Sequence, residues 1–585
     1  MITKTDISDF FYLEAEAAKK SWEALIKLPI KDRIRKRKAI QSVYLDRDYR
    51  ESTDERYVLL KLHVGVNLSD FKEGECLILH KENTTSGIEC ALNSYEGDDT
   101  IYIEVFPPKM PAELESYYDV PLILDKALLD LRENVFYKFL AEIKADSEYW
   151  KNCIVNTPKA PTYEEKEKCA EELDDTCKEF ELKLLPAQRE AIINSLAAND
   201  YYLIQGPPGT GKSFVLGLTI IEETLFKCHK VIIIGPNHLA INNTLQQVYK
   251  FADIIKVFPK PNLIKVGQSY NRPTSKDEEG NYHIDNINIL NVNYFNTFEG
   301  IWVLGLTPHS LYTRRANYLK CDTLIIDEAG QMTIPLGLMG MIRANKVIFA
   351  GDHKQLPPIV SSEELKDEMK LSIFQRIMTE KNCTMLDVSF RMCEPICNFV
   401  SDLFYEGEVK PMKVGCGDMI LSSDPLFDFH TPIVIHHVDD NGEQTSDKEA
   451  SFISETIAGF LKKGLPADEI AVLSPFRAQA ANVRRHVRKN PDISEEQRKL
   501  VVADTIDKMQ GQEREVIVFS LVAGDPDYMT DMAEFLYNPN KLNVAFSRAK
   551  SKLIIVGNIE QLRKISSVEY PHIDKMLESK YVTMV

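Results

Sequence analysis

Residues 201–213 read Tyr-Tyr-Leu-Ile-Gln-Gly-Pro-Pro-Gly-Thr-Gly-Lys-Ser, and this stretch decides the fold. Its apolar start predicts a buried strand, and the apolar run 214–221 that follows predicts a helix. Between them, residues 206–213 match the pattern G-x-x-x-x-G-K-[ST], in which glycines let several backbone N–H groups point at one phosphate. The dipole of the helix also favours an anion at its N-terminus. Strand, loop and helix together predict a nucleoside triphosphate site rather than an ordinary glycine-rich turn.

The last two positions of this loop have expected chemical roles. Lys212 is expected to reach the β- and γ-phosphates, and the Ser213 hydroxyl is expected to ligate Mg²⁺. Together with the backbone cradle, they predict a site for a magnesium nucleotide. The predicted nucleotide-binding residues of the loop are Gly206, Pro207, Pro208, Gly209, Thr210, Gly211, Lys212 and Ser213.

Two carboxylates follow the apolar run 323–326, which predicts another buried strand. A carboxylate at the tip of a strand beside a phosphate loop is placed to hold Mg²⁺ through water, and the next carboxylate can deprotonate the attacking water. We therefore assign Asp327 to the metal and Glu328 to the catalytic base. A surface Asp-Glu pair without function is the alternative, and the phosphate loop upstream argues against it.

Three more residues complete the predicted chemistry. Gln355 comes shortly after the apolar strand 346–350, and its side-chain amide can donate to a phosphate oxygen and accept from water, which suits a sensor of the γ-phosphate. Phosphoryl transfer also needs positive charge at the γ-oxygens, usually from arginines brought in across a cleft. Arg391 and Arg548 are the candidates for this role.

The pattern along the chain predicts an accessory region followed by two α/β domains. Helical spacing near the start gives way to short β-like runs at about 50–110, and helical spacing then returns. Residues 1–183 are therefore expected to form a helical stalk that carries a small β-barrel. Strands alternate with helices in 184–362 and again in 363–585, which predicts two parallel-sheet domains in tandem.

Charge limits how this chain could bind nucleic acid. The chain has 70 Lys and Arg residues and 88 Asp and Glu residues, which gives a net charge of −18. Nucleic acid would therefore have to bind in a local groove rather than through a bulk positive field. A basic cluster at 31–38 could line such a groove, and a solvated helix face is an equally good interpretation. The acidic surface leaves a regulatory protein partner open.

The sequence shows no secretory or membrane signal, and its cysteines are unpaired in pattern. We therefore expect a cytoplasmic protein, or a nuclear one if its source has a nucleus. The first residues lack the apolar core of a secretory signal, and no run approaches the ~20 apolar residues that cross a bilayer, so no membrane partner is expected. The 11 cysteines include no C-x-x-C pair, which favours buried free thiols in a reducing compartment over a metal site.

The motifs, in their order along the chain, resemble those of the superfamily 1 helicases of the Upf-like group, subgroup B. The resemblance covers about residues 184–558. The matching segments are 185–191, 206–213, 235–242, 327–331, 351–358, 389–392, 473–479, 505–513 and 542–550. The resemblance implies two RecA-like domains, ATP and Mg²⁺ as cofactors, and single-stranded RNA or DNA as the partner of a monomeric motor.

The resemblance also implies roles for residues outside the loop. Gln188 would read the adenine edge, Phe390 would stack on the base where the family usually has Tyr, and Glu513 would hold the ribose. Arg391 and Arg548 would be the two arginine fingers. The residues expected to contact the backbone of a single strand are Asn237, Thr307, Ser474 and Thr505. An ordinary strand-end cap is the alternative at each of them.

Two departures from the family pattern concern neighbours of these residues. Ser389 stands where the family often has Gln, and Asn540 with Lys541 stands where it often has Arg. The expected function is an ATP-dependent helicase or translocase that unwinds duplexes, with 5′ to 3′ polarity implied by the resemblance alone. The alternative is an ATP-gated clamp or protein-displacing remodeller that holds RNA or DNA without processive unwinding, because such a protein would carry the same motifs.

Overall fold

The structure is a computed structural model of the 585-residue chain. It describes residues 1–54, 57–65, 67, 69, 71, 75–82, 84, 86–96, 99–105, 114–128, 133–146, 155–255, 262–267, 282–283, 289–292, 295, 300–313, 315–316, 319–416, 420–509, 511–564 and 570–585. Every predicted site residue lies within these ranges. Parts of the predicted barrel region 50–110, and Gln510 of the motif 505–513, lie outside the described residues.

The N-terminal region is a helical stalk that carries a β-barrel. Its helices are α1 (Lys4–Ile26), α2 (Ile30–Arg35) and α3 (Glu133–Asp146). Its strands are β1 (Ala39–Asp54), β2 (Tyr57–His63), β3 (Cys76–Lys81), β4 (Ile88–Glu96), β5 (Thr100–Val105) and β6 (Leu122–Lys126). Helix α1 begins at a capping box formed by Thr3 and Asp6. It packs on α3 through the stacked rings of Phe11 and Phe136.

The six strands close into an antiparallel barrel in the order β1-β2-β5-β4-β3-β6. Alternate residues of a strand point inward, and Leu60 and Leu62 of β2 are fully buried in this way. The strands of the barrel run from 39 to 126, beyond the predicted limits of about 50–110 on both sides. The sequence hides β1 because its second half, 46–54, is mostly charged and polar.

The first α/β domain is built on a sheet covered by helices on both faces. Its strands are β7 (Tyr201–Gln205), β8 (Val231–Ile234), β9 (Asn262–Val266), β10 (Tyr282–His283), β11 (Leu290–Val292), β12 (Trp302–Gly305), β13 (Cys321–Ile326), β14 (Ala344–Gly351) and β15 (Cys383–Met385). Its helices are α4 (Lys166–Glu179), α5 (Pro186–Ala197), α6 (Lys212–Leu225), α7 (His238–Ile255), α8 (Ile334–Met341), α9 (Asp367–Lys370) and α10 (Ile373–Ile377). The strand order is β10-β11-β9-β12-β8-β13-β14-β7-β15, and the described pairs are parallel apart from β10 with β11.

The central strands of this sheet are apolar throughout because both of their faces are buried. Successive residues of β7 face opposite sides: Leu203 joins the core beneath α8 and α10, and Tyr202 joins the core beneath α5, α6 and α7. Strand β14 lies between β13 and β7 in parallel register. The carboxyl ends of the three strands therefore meet at one edge, where the phosphate loop, Asp327 and Gln355 follow.

The second α/β domain has a parallel sheet in the order β20-β19-β21-β22-β18-β23 and a separate pair, β16 with β17. Its strands are β16 (Val388–Cys393), β17 (Lys410–Lys413), β18 (Ile433–His437), β19 (Ile470–Ser474), β20 (Val502–Thr505), β21 (Arg514–Ser520), β22 (Ala549–Gly557) and β23 (Val582–Met584). Its helices are α11 (Glu394–Phe404), α12 (Asp447–Lys462), α13 (Arg477–Lys489), α14 (Glu495–Leu500), α15 (Pro526–Asp531), α16 (Ala533–Leu536), α17 (Pro539–Phe546), α18 (Ile559–Leu562) and α19 (Pro571–Leu577). The predicted fold class, two tandem RecA-like domains behind a helical stalk with a small barrel, is confirmed.

The first α/β domain extends past both of its predicted boundaries, 183/184 and 362/363. Cys169 and Leu173 of α4 belong to its core, so this helix is not part of the predicted stalk. Strand β15 pairs with β7 of the first sheet, and Leu365 and Phe374 belong to the core of that domain. The chain therefore leaves the first domain after Met385. The sequence does not reveal this strand, because three residues are too few to show a periodic pattern.

Cysteine pairing differs from the expectation of free thiols. Cys393 at the end of β16 and Cys416 after β17 form a disulfide, so the expectation is wrong for these two residues. They meet because β16 and β17 pair, a contact that their separation of 23 positions does not show. Eight other cysteines within the described ranges are free, and those ranges contain no cluster of side chains suited to a metal ion. Over the same ranges, no helix is both long and apolar enough to span a bilayer.

Candidate active site

The phosphate loop joins the carboxyl end of β7 to the first turn of α6. Gly209 and Gly211 have φ angles of +75° and +84°, which residues with a Cβ rarely adopt. Space is short as well: a Cβ on Gly209 would lie 2.5 Å from the Cβ of Arg391, and one on Gly206 would lie 2.7 Å from the Cβ of Lys212. Backbone conformation and close approach therefore both require the glycines of the pattern.

Lys212 contacts both of the predicted catalytic carboxylates. Its Nζ donates to Oδ1 of Asp327 at 2.8 Å and to Oε1 of Glu328 at 2.6 Å. Burial opposes the charged ammonium, but the two carboxylates outweigh it and raise the pKa of Lys212 above its usual value. The lysine is therefore a cation at neutral pH, and a phosphate that reaches it has to replace these carboxylates as its partner.

Asp327 and Glu328 are held in different ways. Oδ2 of Asp327 accepts from Oγ1 of Thr244 at 2.7 Å, and its Oδ1 accepts from the backbone N–H of Glu328 at 2.8 Å. Glu328 has a φ of 54°, a left-handed conformation that is costly for a residue other than glycine. Its Oε2 accepts from Nε2 of Gln331 at 3.0 Å. This turn of the backbone directs Glu328 toward Lys212.

Gln355 lies at the end of the loop after β14 and is tied to a buried carboxylate. Its Nε2 donates to Oδ2 of Asp352 at 2.8 Å. Asp352 is 3% exposed, and it also accepts from Nε2 of Gln205 at 3.2 Å and from the hydroxyl of Tyr405 at 2.6 Å. Gln205 ends β7 and Tyr405 follows α11, so Asp352 connects the predicted sensor loop to both α/β domains.

The strand β16 lies along the phosphate loop. Oγ of Ser389 donates to the carbonyl of Pro208 at 2.9 Å, and the N–H of Phe390 donates to the carbonyl of Gly209 at 2.8 Å. Arg391 is the next residue, and the contact distance from Gly209 puts it directly against the loop. The structure therefore brings the first predicted arginine finger to the predicted phosphate site.

Arg391 is paired with the residue that was expected to hold the ribose. Its Nε donates to Oε2 of Glu513 at 2.5 Å, and its Nη1 donates to the carbonyl of Ser547 at 3.1 Å. Burial opposes ionisation of Glu513, but the charge of Arg391 outweighs it and holds the pKa of that carboxyl below its usual value. An ion pair therefore connects two of the predicted nucleotide-contacting residues of the second domain.

The second predicted finger, Arg548, is buried at 2% exposure. Its Nε donates to the carbonyl of Val544 at 2.9 Å and its Nη1 to the carbonyl of Gln512 at 3.3 Å. Burial and the charge of Arg391 lower the pKa of Arg548 to about 9, while the charge of Glu328 acts in the opposite direction. The guanidinium of Arg548 is therefore held by the backbone of α17 and of the segment before β21.

Gln188 and Phe390 both lie close to Gly211. A Cβ on Gly211 would be 3.0 Å from Nε2 of Gln188 and 4.0 Å from the ring of Phe390, which is 38% exposed. The Gln188 amide is engaged at both ends: Oε1 accepts from the N–H of Leu185 at 3.1 Å, and Nε2 donates to the carbonyl of Thr210 at 3.2 Å. The amide joins α5 to the loop, so a contact with adenine would require it to exchange a partner.

The four residues expected to contact a single strand lie at or just beyond the carboxyl ends of strands in both domains. Asn237 and Thr307 follow the neighbouring strands β8 and β12 of the first sheet. Ser474 and Thr505 end β19 and β20 and lie opposite each other in register. The structure therefore brings them together as two pairs, one on each domain.

Three of these side chains, those of Asn237, Thr307 and Ser474, make local hydrogen bonds. Oδ1 of Asn237 accepts from a backbone N–H in the first turn of α7 at 2.9 Å, and Oγ1 of Thr307 lies 3.0 Å from Oγ of Ser310. Oγ of Ser474 accepts from the N–H of Phe476 at 3.4 Å. These are the bonds of strand-end caps, the alternative that the sequence left open, so the nucleic-acid role stays a prediction.

Sequence reasoning missed three side chains that support the site, namely Thr244, Asp352 and Tyr405. Asp352 could have been found, because it follows β14 as Asp327 follows β13. Thr244 and Tyr405 meet their carboxylate partners over 83 and 53 positions of sequence, and no motif marks either hydroxyl. Packing of the helices α7 and α11 brings them in.

Fold and site together define a class of protein: a P-loop ATPase in which two RecA-like domains face each other across a nucleotide cleft. Two family models described as AAA domain match the chain, one over 183–288 and 307–363 and the other over 369–560, and together they cover more than half of it. The chain belongs to the Upf-like superfamily 1 helicases and is an enzyme of the ATPase and helicase type.

Similar proteins differ in how much of their length the chain spans. DNA polymerase alpha-associated DNA helicase A of Schizosaccharomyces pombe is 27% identical over 468 residues, which cover 69% of this chain and 68% of that protein. The DNA replication ATP-dependent helicase/nuclease dna2 of the same organism is 28% identical over 421 residues, which cover 65% of this chain and 28% of that protein. Among solved structures, the arterivirus nonstructural protein 10 helicase aligns with 92% of this chain and 83% of its own, at 12% identity and a TM-score of 0.39.

Proposed function

We propose that the chain is an ATP-driven motor that moves 5′ to 3′ along a single strand of RNA or DNA and unwinds duplexes. One observation carries the proposal: Arg391, which follows the first domain in sequence, lies against the phosphate loop at Gly209 and donates to the carbonyl of Ser547, the residue before Arg548. Two domains that share one phosphate site can convert hydrolysis into relative movement. The polarity rests on the family resemblance alone.

The residues present fit a magnesium nucleotide. Mg²⁺ prefers hard oxygen ligands, and the site offers the Ser213 hydroxyl beside Lys212 and the Asp327 carboxylate in contact with it. The glycine positions keep the backbone of the cradle open where a Cβ would collide with its walls. Ser213 and Asp327 would hold the ion, which would neutralise charge on the phosphate oxygens when bound.

The catalytic steps are assigned to the side chains of the chain. Lys212 exchanges its carboxylate partners for phosphate oxygens, which releases Glu328 to orient water and accept its proton. Arg391 and Arg548 stabilise the negative charge of the transition state. Gln355 exchanges its bond with Asp352 for one with the γ-phosphate, and so distinguishes the triphosphate from the product.

Movement along a strand follows from contacts on both domains. Asn237 and Thr307 belong to the first domain, and Ser474 and Thr505 belong to the second. Closing and reopening of the cleft changes the distance between the two pairs, and alternating grip then advances the strand. Amides and hydroxyls suit this task because they can contact phosphate and sugar without selecting a base.

A strand-displacement assay with matched 5′- and 3′-overhang duplexes, in RNA and in DNA, tests the proposal. We expect ATP-dependent unwinding of the 5′-overhang substrate. Unwinding of the 3′-overhang substrate alone would contradict the polarity. Strong nucleic-acid-stimulated hydrolysis without unwinding of either substrate would favour an ATP-gated clamp instead.

The salt dependence of strand binding is a second test. Contacts with phosphates displace counterions, so affinity should fall steeply as salt rises in spite of the net charge of −18. Fluorescence anisotropy of a labelled single strand, measured over a series of salt concentrations, gives the slope. A flat response would argue against a phosphate-binding groove and for a protein partner on the acidic surface.

A further inference from the structure

The loop that carries Gln355 is held by one helix of the second domain. Nδ2 of Asn540 donates to the carbonyls of His353 and Gln355, at 2.9 and 2.5 Å. Nδ2 of Asn543 donates to the carbonyl of Lys354 at 2.7 Å. Three consecutive carbonyls of the loop thus receive hydrogen bonds from two side-chain amides of α17. The two asparagines share a face of the helix because they are three positions apart.

A buried tyrosine extends this contact to the side of Asp352. The Tyr405 hydroxyl donates to Oδ2 of Asp352 at 2.6 Å and accepts from Nδ2 of Asn543 at 2.7 Å. Burial, with the charge of Asp352, raises the pKa of Tyr405 well above its usual value, so the hydroxyl keeps its proton and remains a donor. The side chain of Gln355 donates to the same carboxylate oxygen. The loop is therefore bonded to the second domain through its backbone and through Asp352.

The same helix fixes Arg548 at its other end. Helix α17 is 8 residues long, and its C-cap, Ser547, comes directly before Arg548. Nε of Arg548 donates to the carbonyl of Val544 at 2.9 Å, and Nη2 donates to Oγ of Ser547 at 3.3 Å. So short a helix moves as one body, and a shift of its first turn reaches the guanidinium.

We propose that Asn540 and Asn543 are positioning residues that transmit movement of the Gln355 loop to Arg548. When Gln355 exchanges Asp352 for the γ-phosphate, the loop carbonyls shift, and α17 carries Arg548 with them. This link rests on the proposed ATP hydrolysis, and it joins the sensor of that reaction to one of its arginines.

The residue type at 540 suits this role. Position 540 carries a neutral asparagine, and Lys541 follows it. A neutral amide can donate to the carbonyls of this part-buried contact without the desolvation cost of a charge. Its two bonds to the loop are also directional, so they fix the distance between loop and helix more closely than apolar packing would.

The variant Asn540→Ala tests the link, and Asn538→Ala is its matched control. Asn540→Ala removes both bonds to the loop. Asn538→Ala removes the cap of the same helix, in which Oδ1 accepts from the N–H groups of Asn540 and Lys541 at 3.0 and 3.2 Å, and leaves the loop contacts in place.

Steady-state ATP hydrolysis, measured at a saturating concentration of single-stranded nucleic acid, should distinguish the two variants by their kcat and their KM for ATP. We expect Asn540→Ala to lower kcat about tenfold and to leave KM for ATP within about twofold, because a group that acts on the transition state alone affects kcat. Asn538→Ala should keep kcat and lower the melting temperature, as loss of a cap does. A wild-type kcat in Asn540→Ala, or the same loss of kcat in both variants, would overturn the proposal.

Hydrogen exchange gives a second readout that needs no turnover. Addition of magnesium and a non-hydrolysable ATP analogue to the wild-type chain should protect 353–355 and 545–549 together. In Asn540→Ala only 353–355 should respond. Protection of one segment without the other in the wild type would overturn the proposal. Joint protection in a chain that does not hydrolyse ATP would instead contradict the proposed function and leave the link standing.

Discussion

The cleft predicted to bind ATP differs from the strand-end face, the surface predicted to bind nucleic acid, in how the predicted residues of each make contact. In the cleft these residues contact one another: Lys212 binds Asp327 and Glu328, and Arg391 binds Glu513. The strand-end face is the set Asn237, Thr307, Ser474 and Thr505. The side chains of Asn237, Thr307 and Ser474 and the backbone N–H of Thr505 form hydrogen bonds with residues close to them in sequence. One region is joined by opposite charges over long separations, and the other consists of separate local caps.

This difference separates a site that assembles by itself from one that its ligand has to complete. Buried opposite charges depend on each other, so loss of one partner affects stability as well as catalysis. A neutral cap is satisfied where it stands, so a change there should alter affinity for the strand and little else. Variants of the two regions should therefore differ in kind as well as in size.

Lys212→Ala should have the largest effect. Without the ammonium, the phosphates lose their main protein cation, and hydrolysis should fall about a thousandfold or more. The carboxylates of Asp327 and Glu328 also lose the cation between them, so the melting temperature should fall. Lys212→Arg is the matched control: it restores the charge and should recover the melting temperature without recovering hydrolysis. A Lys212→Ala protein as stable as the wild type would remove the contrast between the two regions.

Glu328→Gln should stop turnover while ATP still binds. Glutamine cannot accept the proton of the attacking water, so kcat should fall about a hundredfold or more. Affinity for a fluorescent ATP analogue should stay within about threefold of the wild type, because the change removes a group needed in the transition state. Substantial hydrolysis by this variant would show that the base lies elsewhere.

Thr505→Val should weaken strand binding and leave basal hydrolysis unchanged. Valine keeps the shape and removes the hydroxyl, so affinity for a single-stranded oligonucleotide should fall about three- to tenfold. The salt slope should not change, since a hydroxyl displaces no counterion. Thr530→Val, at an exposed position of α15, is the matched control and should bind as the wild type does. A changed slope in Thr505→Val, measured by anisotropy, would mean that a charged contact had been disturbed.

Glu449→Gln should have the smallest effect, and it should depend on pH. Glu449 lies beneath the end of β21, beside the strand that carries Ser474: its Oε2 accepts from Oγ of Ser520 at 2.6 Å and from the N–H of Val522 at 3.3 Å. Burial raises the pKa of Glu449 to about 8, whereas the unfolded chain releases this proton near 4.5. The folded state is therefore favoured by this group below pH 4.5, and that contribution is lost as pH rises to about 8.

Glutamine does not ionise, so the variant escapes this loss. The melting temperature of Glu449→Gln relative to the wild type should therefore rise by about 3 °C between about pH 5 and pH 8.5. Glu455→Gln, at an exposed position of helix α12, which also carries Glu449, should show no such trend with pH. A difference that stays constant with pH in Glu449→Gln would contradict the assignment of a buried, protonated carboxyl.

The residues of the site that follow a strand directly in sequence could be predicted from the sequence. The loop 206–213 carries its own pattern, and Asp327 and Gln355 each follow an apolar strand. Strands β7, β13 and β14 are parallel neighbours, so residues that follow them gather at one edge without further information. The arginines could be named as well, because charge from across a cleft is a requirement of the chemistry.

Contacts between distant segments could not be predicted. Asn543 meets the carbonyl of Lys354 over 189 positions, and nothing in an asparagine marks such a partner. Strand β15 is too short for a period, and the charged half of β1 hides a barrel strand. The disulfide of Cys393 with Cys416 depends on the pairing of β16 with β17, which is itself a tertiary event.

The connection between β15 and β16 makes the two arginines unequal. Two residues, Leu386 and Asp387, join the last strand of the first sheet to the strand of Arg391, and the N–H of Leu386 donates to the carbonyl of Gln205 at 2.9 Å. Because this connection is only two residues long, β16 can tilt, but it can move only a short distance from the phosphate loop. We therefore expect Arg391 to stay beside the phosphate loop when the cleft opens, and Arg548 to move with the second sheet.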